Sequence, residues 1–144
     1  MSTYVDTSAL VKRYVNEPAS QAFDDFVAAS DEEFVLVPLT LVEMESVLMR
    51  RLRQRDFEPS YLKRVRALFD TDLRAALWVV QPFPTEAFAE ATRLIAEPDM
   101  VLATFDALHV ASAAALGCSS FATADRQQAR AAHRCGLQIH DFSN

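Results

Sequence analysis

Four carboxylates stand beside apolar sequence, each near the start of a segment with helical periodicity: Asp6 in YVDTSALVKRYV, Glu43 in PLTLVEMESVLMRR, Asp106 in ATFDALHVASAAA and Asp125 in SFATADRQQARAA. A carboxylate in such a setting is costly unless it is paired, hydrogen-bonded or bound to a cation. A metal ion shared between the four is the sharpest common cause. Oxygen-only donors select hard ions, so Mg²⁺ or Mn²⁺ is the expected occupant rather than zinc. Each acid also has a local explanation. Asp6 and Asp125 suit the N-caps of helices beginning near Thr7 and Arg126, Asp106 sits in a first turn where negative charge meets the helix dipole favourably, and Glu43 completes a capping box with Thr40.

Whether the acids meet depends on the elements that carry them. Short, apolar or β-branched runs at 2 to 5, 34 to 37, 77 to 80, 119 to 122 and 138 to 142 predict strands. Apolar residues at three and four spacings predict helices at about 7 to 15, 19 to 29, 39 to 55, 59 to 76, 85 to 97, 105 to 116 and 126 to 134. Pro38, Pro59, Pro84 and Pro98 fall at element boundaries. Such alternation implies an α/β fold with a mostly parallel sheet and helices on both faces. An open parallel sheet gathers the carboxyl ends of its strands and the starts of the following helices along one edge, where ligands bind. Asp6 and Asp125 close the first and fourth predicted strands, and Glu43 belongs to the helix after the second. Convergence is therefore expected, and carboxylates brought so close raise one another's pKa unless a cation holds them ionised.

Residues 39 to 76 break the alternation, because two long helical patterns adjoin with only Phe57, Glu58 and Pro59 between them. They predict a helical hairpin projecting from the sheet, with Leu41, Leu48, Leu52, Leu62, Val65, Leu68 and Phe69 packed inward or between the two helices. The formal net charge is −6, yet residues 50 to 66 carry +5 through Arg50, Arg51, Arg53, Arg55, Lys63, Arg64 and Arg66 against Asp56 and Glu58. Exposed helical Arg and Lys commonly serve solubility. Beside an acidic cluster, however, positive charge would hold a polyanion, and Arg50, Arg51 and Arg53 are its candidate contacts.

Composition narrows the alternatives. The length of 144 residues fits one domain spanning residues 1 to 144. Charges interrupt every apolar run before the roughly 18 residues of a membrane span, and MSTYVDTSAL does not read as an export signal, so a soluble, cytoplasmic protein is expected. Two glycines, Gly117 and Gly136, cannot build a glycine-rich phosphate cradle. Cys118 and Cys135 lack metal or redox spacing and read as packing residues. His109 reads as a residue of packing or of an ordinary hydrogen bond, Glu45 as solvated or paired with an Arg one turn onward, Asp99 as a loop acid, and Ser8 as a hydrogen-bond partner of either Asp6 or the local backbone.

In order along nearly the whole chain, YVDTSALVKRYV, TLVEMESVLMRR, TFDALHVASA and FATADRQQARAA resemble the successive acidic motifs of PIN-domain nucleases, and the arrangement is most similar to the VapC toxins of bacterial toxin–antitoxin pairs. The resemblance implies a PIN-like three-layer α/β/α fold and metal-dependent endoribonuclease activity. It also implies a homodimer and inhibition by a cognate VapB-type antitoxin. Carried over by position, the metal-binding and catalytic acids are Asp6, Glu43, Asp106 and Asp125, and Thr123 orients ligands or water. One or two Mg²⁺ ions would activate water for in-line displacement. A phosphatase of the haloacid dehalogenase type needs a second Asp two residues after the first, where Ser8 stands. A silent nucleic-acid or protein-binding module is disfavoured by the presence of all four acids.

Overall fold

The computed structural model describes residues 1–144. Five strands, β1 (Ser2–Val5), β2 (Glu33–Leu36), β3 (Trp78–Val80), β4 (Ser120–Thr123) and β5 (Gln138–Asp141), form one sheet in the order β3-β2-β1-β4-β5. Every pairing is parallel. The helices are α1 (Thr7–Leu10), continued by a 3₁₀ turn at Val11–Arg13, α2 (Ser20–Ala29), α3 (Pro38–Arg53), α4 (Pro59–Arg74), α5 (Ala87–Ala96), α6 (Thr104–Ala115) and α7 (Arg126–Arg134).

Side-chain alternation along the strands divides the core in two. Val5, Phe34, Leu36, Trp78 and Ala122 face one cluster with Leu10, Phe23, Met44, Leu48, Leu62 and Val65, which come from α1 to α4. Tyr4, Val35 and Phe121 face the other, with Leu94, Val110, Ala113 and Ala131 from α5 to α7. Both faces of the sheet are covered, as an all-parallel sheet requires, and the three layers are α/β/α.

The α3–α4 hairpin lies against this core rather than standing free of it. Met44, Leu48, Leu62 and Val65 are buried, and Leu41, Leu52 and Phe69 pack partly against them. Leu68 departs from expectation: it is 47% exposed. Glu45 pairs with Arg66 of α4 rather than with an Arg on its own helix. The start of α3 also differs. Pro38 is its first residue and Val37 its N-cap, while the Thr40 hydroxyl accepts from the Val37 N–H at 3.4 Å. Pro at the first helical position, with its φ already set, moves the start two residues ahead of Thr40. Glu43 is thereby freed from the capping box and sits in the second turn.

A buried polar group fastens the far end of the hairpin. Asp72 accepts from Arg13 Nε at 2.9 Å and from the Tyr14 hydroxyl at 2.6 Å, and Tyr14 Oη in turn accepts from Trp78 Nε1 at 2.6 Å. These contacts tie α4 to the 3₁₀ turn and to edge strand β3.

Candidate active site

Strand order places the switch point between β1 and β4, since the chain first winds outward through β2 and β3 and then returns to the other side of β1. Asp6 follows β1 and Asp125 lies two residues beyond β4. The Asp6 N–H donates to Ala122 O at 3.0 Å, which brings the two strand ends together. A helix leading into a parallel strand runs antiparallel to it, so the start of α6, with Asp106 in its first turn, reaches the same edge. α3 leaves β2 at this edge and contributes Glu43. All four acids line one cleft of about 420 Å³.

Capping and convergence prove compatible. Asp6 caps α1 by accepting from the Ser8 N–H at 3.1 Å, and Asp125 caps α7 by accepting from the N–H groups of Gln127 and Gln128 at 2.8 and 3.0 Å. The Asp125 bonds use Oδ1 alone, so capping fixes the carboxylate while leaving its second oxygen without a protein donor. Asp6 is 3% exposed and more fully engaged. Its Oδ2 accepts from the hydroxyls of Ser8 and Thr123, the latter at 3.2 Å. Thr123 also accepts from the Asp125 N–H at 3.0 Å, so one hydroxyl orients parts of both acidic loops. Of its two readings Ser8 takes the first, donating from Oγ to Asp6 Oδ2, while the backbone group that Oγ accepts from, Ala124 N at 2.9 Å, belongs to the distant β4 loop rather than to the local chain.

Two further residues complete the network. Buried Gln128 donates through Nε2 to Asp6 Oδ1 at 3.3 Å and Asp106 Oδ1 at 3.2 Å, while its carbonyl, 3.0 Å from the Thr123 hydroxyl, shares that hydroxyl's one proton with Asp6 Oδ2. His109, expected to pack or to make an ordinary hydrogen bond, is buried and places Nε2 against Glu43 Oε1 and Nδ1 at 2.7 Å from the Tyr4 hydroxyl. Helical spacing was the available signal, since Gln128 follows Asp125 by three and His109 follows Asp106 by three. Nothing local, however, names their partners across the sheet.

The electrostatics are those of a site short of positive charge on its acidic side. Burial first, then the charges of Asp6, Asp125 and Glu43, push the Asp106 carboxyl up to about 6 against an opposing contribution from His109. Burial lowers the His109 pKa, but the hydrogen bond to Glu43 and the charges of Asp6, Glu43 and Asp106 outweigh it, leaving the imidazole raised. Four carboxylates fit a hard divalent cation by donor chemistry. As they stand, no three His, Cys, Asp or Glu groups are gathered closely enough to form a ready metal site; neutral donors from Gln128, Thr123 and Ser8 occupy part of their hydrogen-bonding capacity.

The cleft's other wall is basic. Lys12, Arg50 and Arg51 line it together with Glu17. Lys12 is buried and donates to Glu17 and to Pro18 O at 3.3 and 2.6 Å, and Arg51 also pairs with Glu17, at 3.1 Å. Arg50 is exposed at the rim, whereas Arg53 is exposed but does not line the cleft. Asp99 is remote, paired with Arg130 and Arg134.

A sequence profile of the PIN domain matches residues 3–134. The chain belongs to the PIN-domain family. Such domains are generally nucleases and typically use divalent metals. None of the curated proteins matches the chain. Among solved structures, the PIN fold seen here is similar to FitAcB from Neisseria gonorrhoeae, with a TM-score of 0.72, 14% identity and 96% of each chain covered. It is similar to VapBC2 from Rickettsia felis, bound to a DNA fragment from their promoter, with a TM-score of 0.71, 14% identity and 99% of each chain covered. PAE2754 from Pyrobaculum aerophilum is similar at a TM-score of 0.63 and 20% identity, over 96% of this chain and 83% of that one. At these identities the likeness concerns the fold. No helix of the PIN domain is long and apolar enough to cross a membrane.

Proposed function

We propose that this PIN domain is a Mg²⁺- or Mn²⁺-dependent endoribonuclease and the toxin of a VapBC-type pair, acting in the cytoplasm as a single domain. The observation that carries the reading is the cleft itself, in which Asp6, Glu43, Asp106 and Asp125 face a wall containing Lys12, Arg50 and Arg51. A divalent ion there would supply Lewis-acid stabilisation of phosphoryl charge and lower the pKa of the attacking water. Asp6, Glu43, Asp106 and Asp125 are the residues that would hold it. Thr123 fixes Asp6 and the Asp125 loop, and Gln128 bridges Asp6 and Asp106 by donating to both. Arg50 and Arg51 draw the RNA backbone to the cleft by charge, and Arg53 extends that attraction along the helix.

Metal-stripped protein is expected to cleave RNA after addition of Mg²⁺ or Mn²⁺ but not Zn²⁺, with Glu43→Gln and Asp6→Asn reducing the rate at least about 100-fold. Cleavage that persists under exhaustive chelation excludes the metal mechanism. Cleavage of DNA with none of RNA excludes the ribonuclease assignment.

The toxin reading rests on the sequence resemblance and on similarity to the VapBC2 and FitAcB structures. A VapB-type antitoxin would place a basic or polar side chain among the acids, where a cation is electrostatically favoured, and the domain would act as a homodimer. Co-expression with the small gene adjacent to its own is expected to relieve growth arrest and yield a nuclease-silent complex. Expression of the PIN domain alone without toxicity, together with no captured partner, overturns this assignment and leaves the nuclease one standing.

A further inference from the structure

Resting on the metal-dependent nuclease reading, we propose that His109, backed by Tyr4, is a positioning residue that fixes the Glu43 carboxylate for a divalent cation. His109 is completely buried on α6, and its ring lies between two polar partners from two other elements. Nε2 meets Glu43 Oε1 from α3, with Asp6 Oδ1 farther off at 3.9 Å, and Nδ1 lies 2.7 Å from Tyr4 Oη in the central strand. An ionised carboxylate only accepts hydrogen bonds, so Nε2 must carry the proton. In the neutral ring Nδ1 is then the acceptor, and the Tyr4 hydroxyl is the donor that fixes this tautomer. Tyr4 is itself held, since its ring stacks on Phe121 of β4 with centroids 5.5 Å apart and planes within 1°.

Glu43 needs such a partner more than the other acids do. Asp6 and Asp125 are short side chains anchored by backbone N–H groups at the helices they cap. Glu43 has one more rotatable bond, lies in the second turn of α3 and caps nothing. Apart from His109, its side chain receives only a long contact of 3.5 Å from the Thr7 hydroxyl. The imidazole is therefore the principal restraint on where the carboxylate points, and the Tyr4–His109–Glu43 chain passes the rigidity of the β1–β4 pair to α3. Groups that orient metal-binding side chains in this way are typically worth 10–100-fold in metal affinity.

The test is calorimetric titration of Mn²⁺ into the metal-stripped full chain, alongside thermal melts, for wild type, His109→Leu, His109→Gln and Tyr4→Phe. His109→Leu is expected to weaken Mn²⁺ binding about 10–100-fold. His109→Gln supplies an amide N–H in place of Nε2–H and should recover part of the loss. Tyr4→Phe preserves the stacked ring, releases the tautomer and should weaken binding by a smaller factor. If wild type binds Mn²⁺ and the folded variants bind it equally well, with only their melting temperatures lowered, His109 is a core residue and the proposal is overturned. Should His109→Leu fail to fold, unchanged affinity in Tyr4→Phe and His109→Gln overturns it in the same way. Absence of Mn²⁺ binding by wild type instead removes the metal-dependent reading on which the proposal stands.

Discussion

At the residue scale two of the acids cap helices while all four crowd one cleft, and Asp106 is where that crowding is felt most. Its carboxyl is raised to about 6 from an ordinary 3.8 by burial and by its three acidic neighbours. A raised carboxylate pKa means that the folded state binds a proton more readily than the unfolded chain. Stability therefore falls as pH rises through the interval from about 4 to 6. In chelator, Asp106→Asn is expected to remove that part of the pH dependence and to raise the melting temperature at pH 7, and with Mg²⁺ restored it is expected to abolish cleavage. Thermal melts of both proteins from pH 4 to 8 check this, and a variant less stable than wild type at pH 7 refutes the repulsion argument. Divalent ions should narrow the difference from the wild-type side, because they relieve the same repulsion.

At the element scale, the fold holds its cleft by fastening helices at points distant from it. Asp72 on α4 receives Arg13 and Tyr14, and Tyr14 receives Trp78, so three segments share one carboxylate. Asp72→Ala leaves a buried Tyr14 hydroxyl without its acceptor and Arg13 with only the longer pairing to Asp24 at 3.5 Å, and it should cost about 3 kcal/mol. Equilibrium denaturation measures this, and a loss below about 1 kcal/mol would place the group among weak surface pairs. Because α4 supports α3 through Leu62 and Val65, the variant should also lower Mn²⁺ affinity less than it lowers stability. Asp72 is remote from the acids that line the cleft.

For the whole molecule, charge is distributed against its average. The net charge is −6, yet the segment from 50 to 66 is locally +5, and two of its arginines open onto the acidic cleft. Position in the fold divides the candidates. Arg50→Gln should flatten the dependence of RNA affinity on salt by about one unit of slope, as expected for one phosphate contact. Arg51→Gln should do so while also releasing Glu17, its partner at 3.1 Å, so a larger change in affinity is expected. Arg53→Gln, lying outside the cleft, should change the slope little. Binding measured between about 50 and 200 mM salt checks all three, and equal effects would mean that the RNA follows the outer face of the hairpin.

The sequence by itself determined the elements, the acidic motifs and the family, because each is written in short-range pattern. Strand alternation spans two residues, helix periodicity three or four, and an Asp cap acts on the amides two or three residues ahead. The expected strand at 2 to 5 and helix at 126 to 134 match β1 and α7 at both ends. The helix expected from about 39 begins at Pro38, but the capping role expected of Thr40 and Glu43 failed, because they fitted a capping box as well as Pro38 fitted a first helical position, and a local pattern cannot rank two compatible local patterns. What only the tertiary structure decided are contacts across the sheet. His109 meets Glu43 over 66 residues of chain, and Gln128 meets Asp6 over 122. Those meetings depend on strand order and on how far a side chain reaches from its helix, and neither quantity leaves a trace in the spacing of residues along one element.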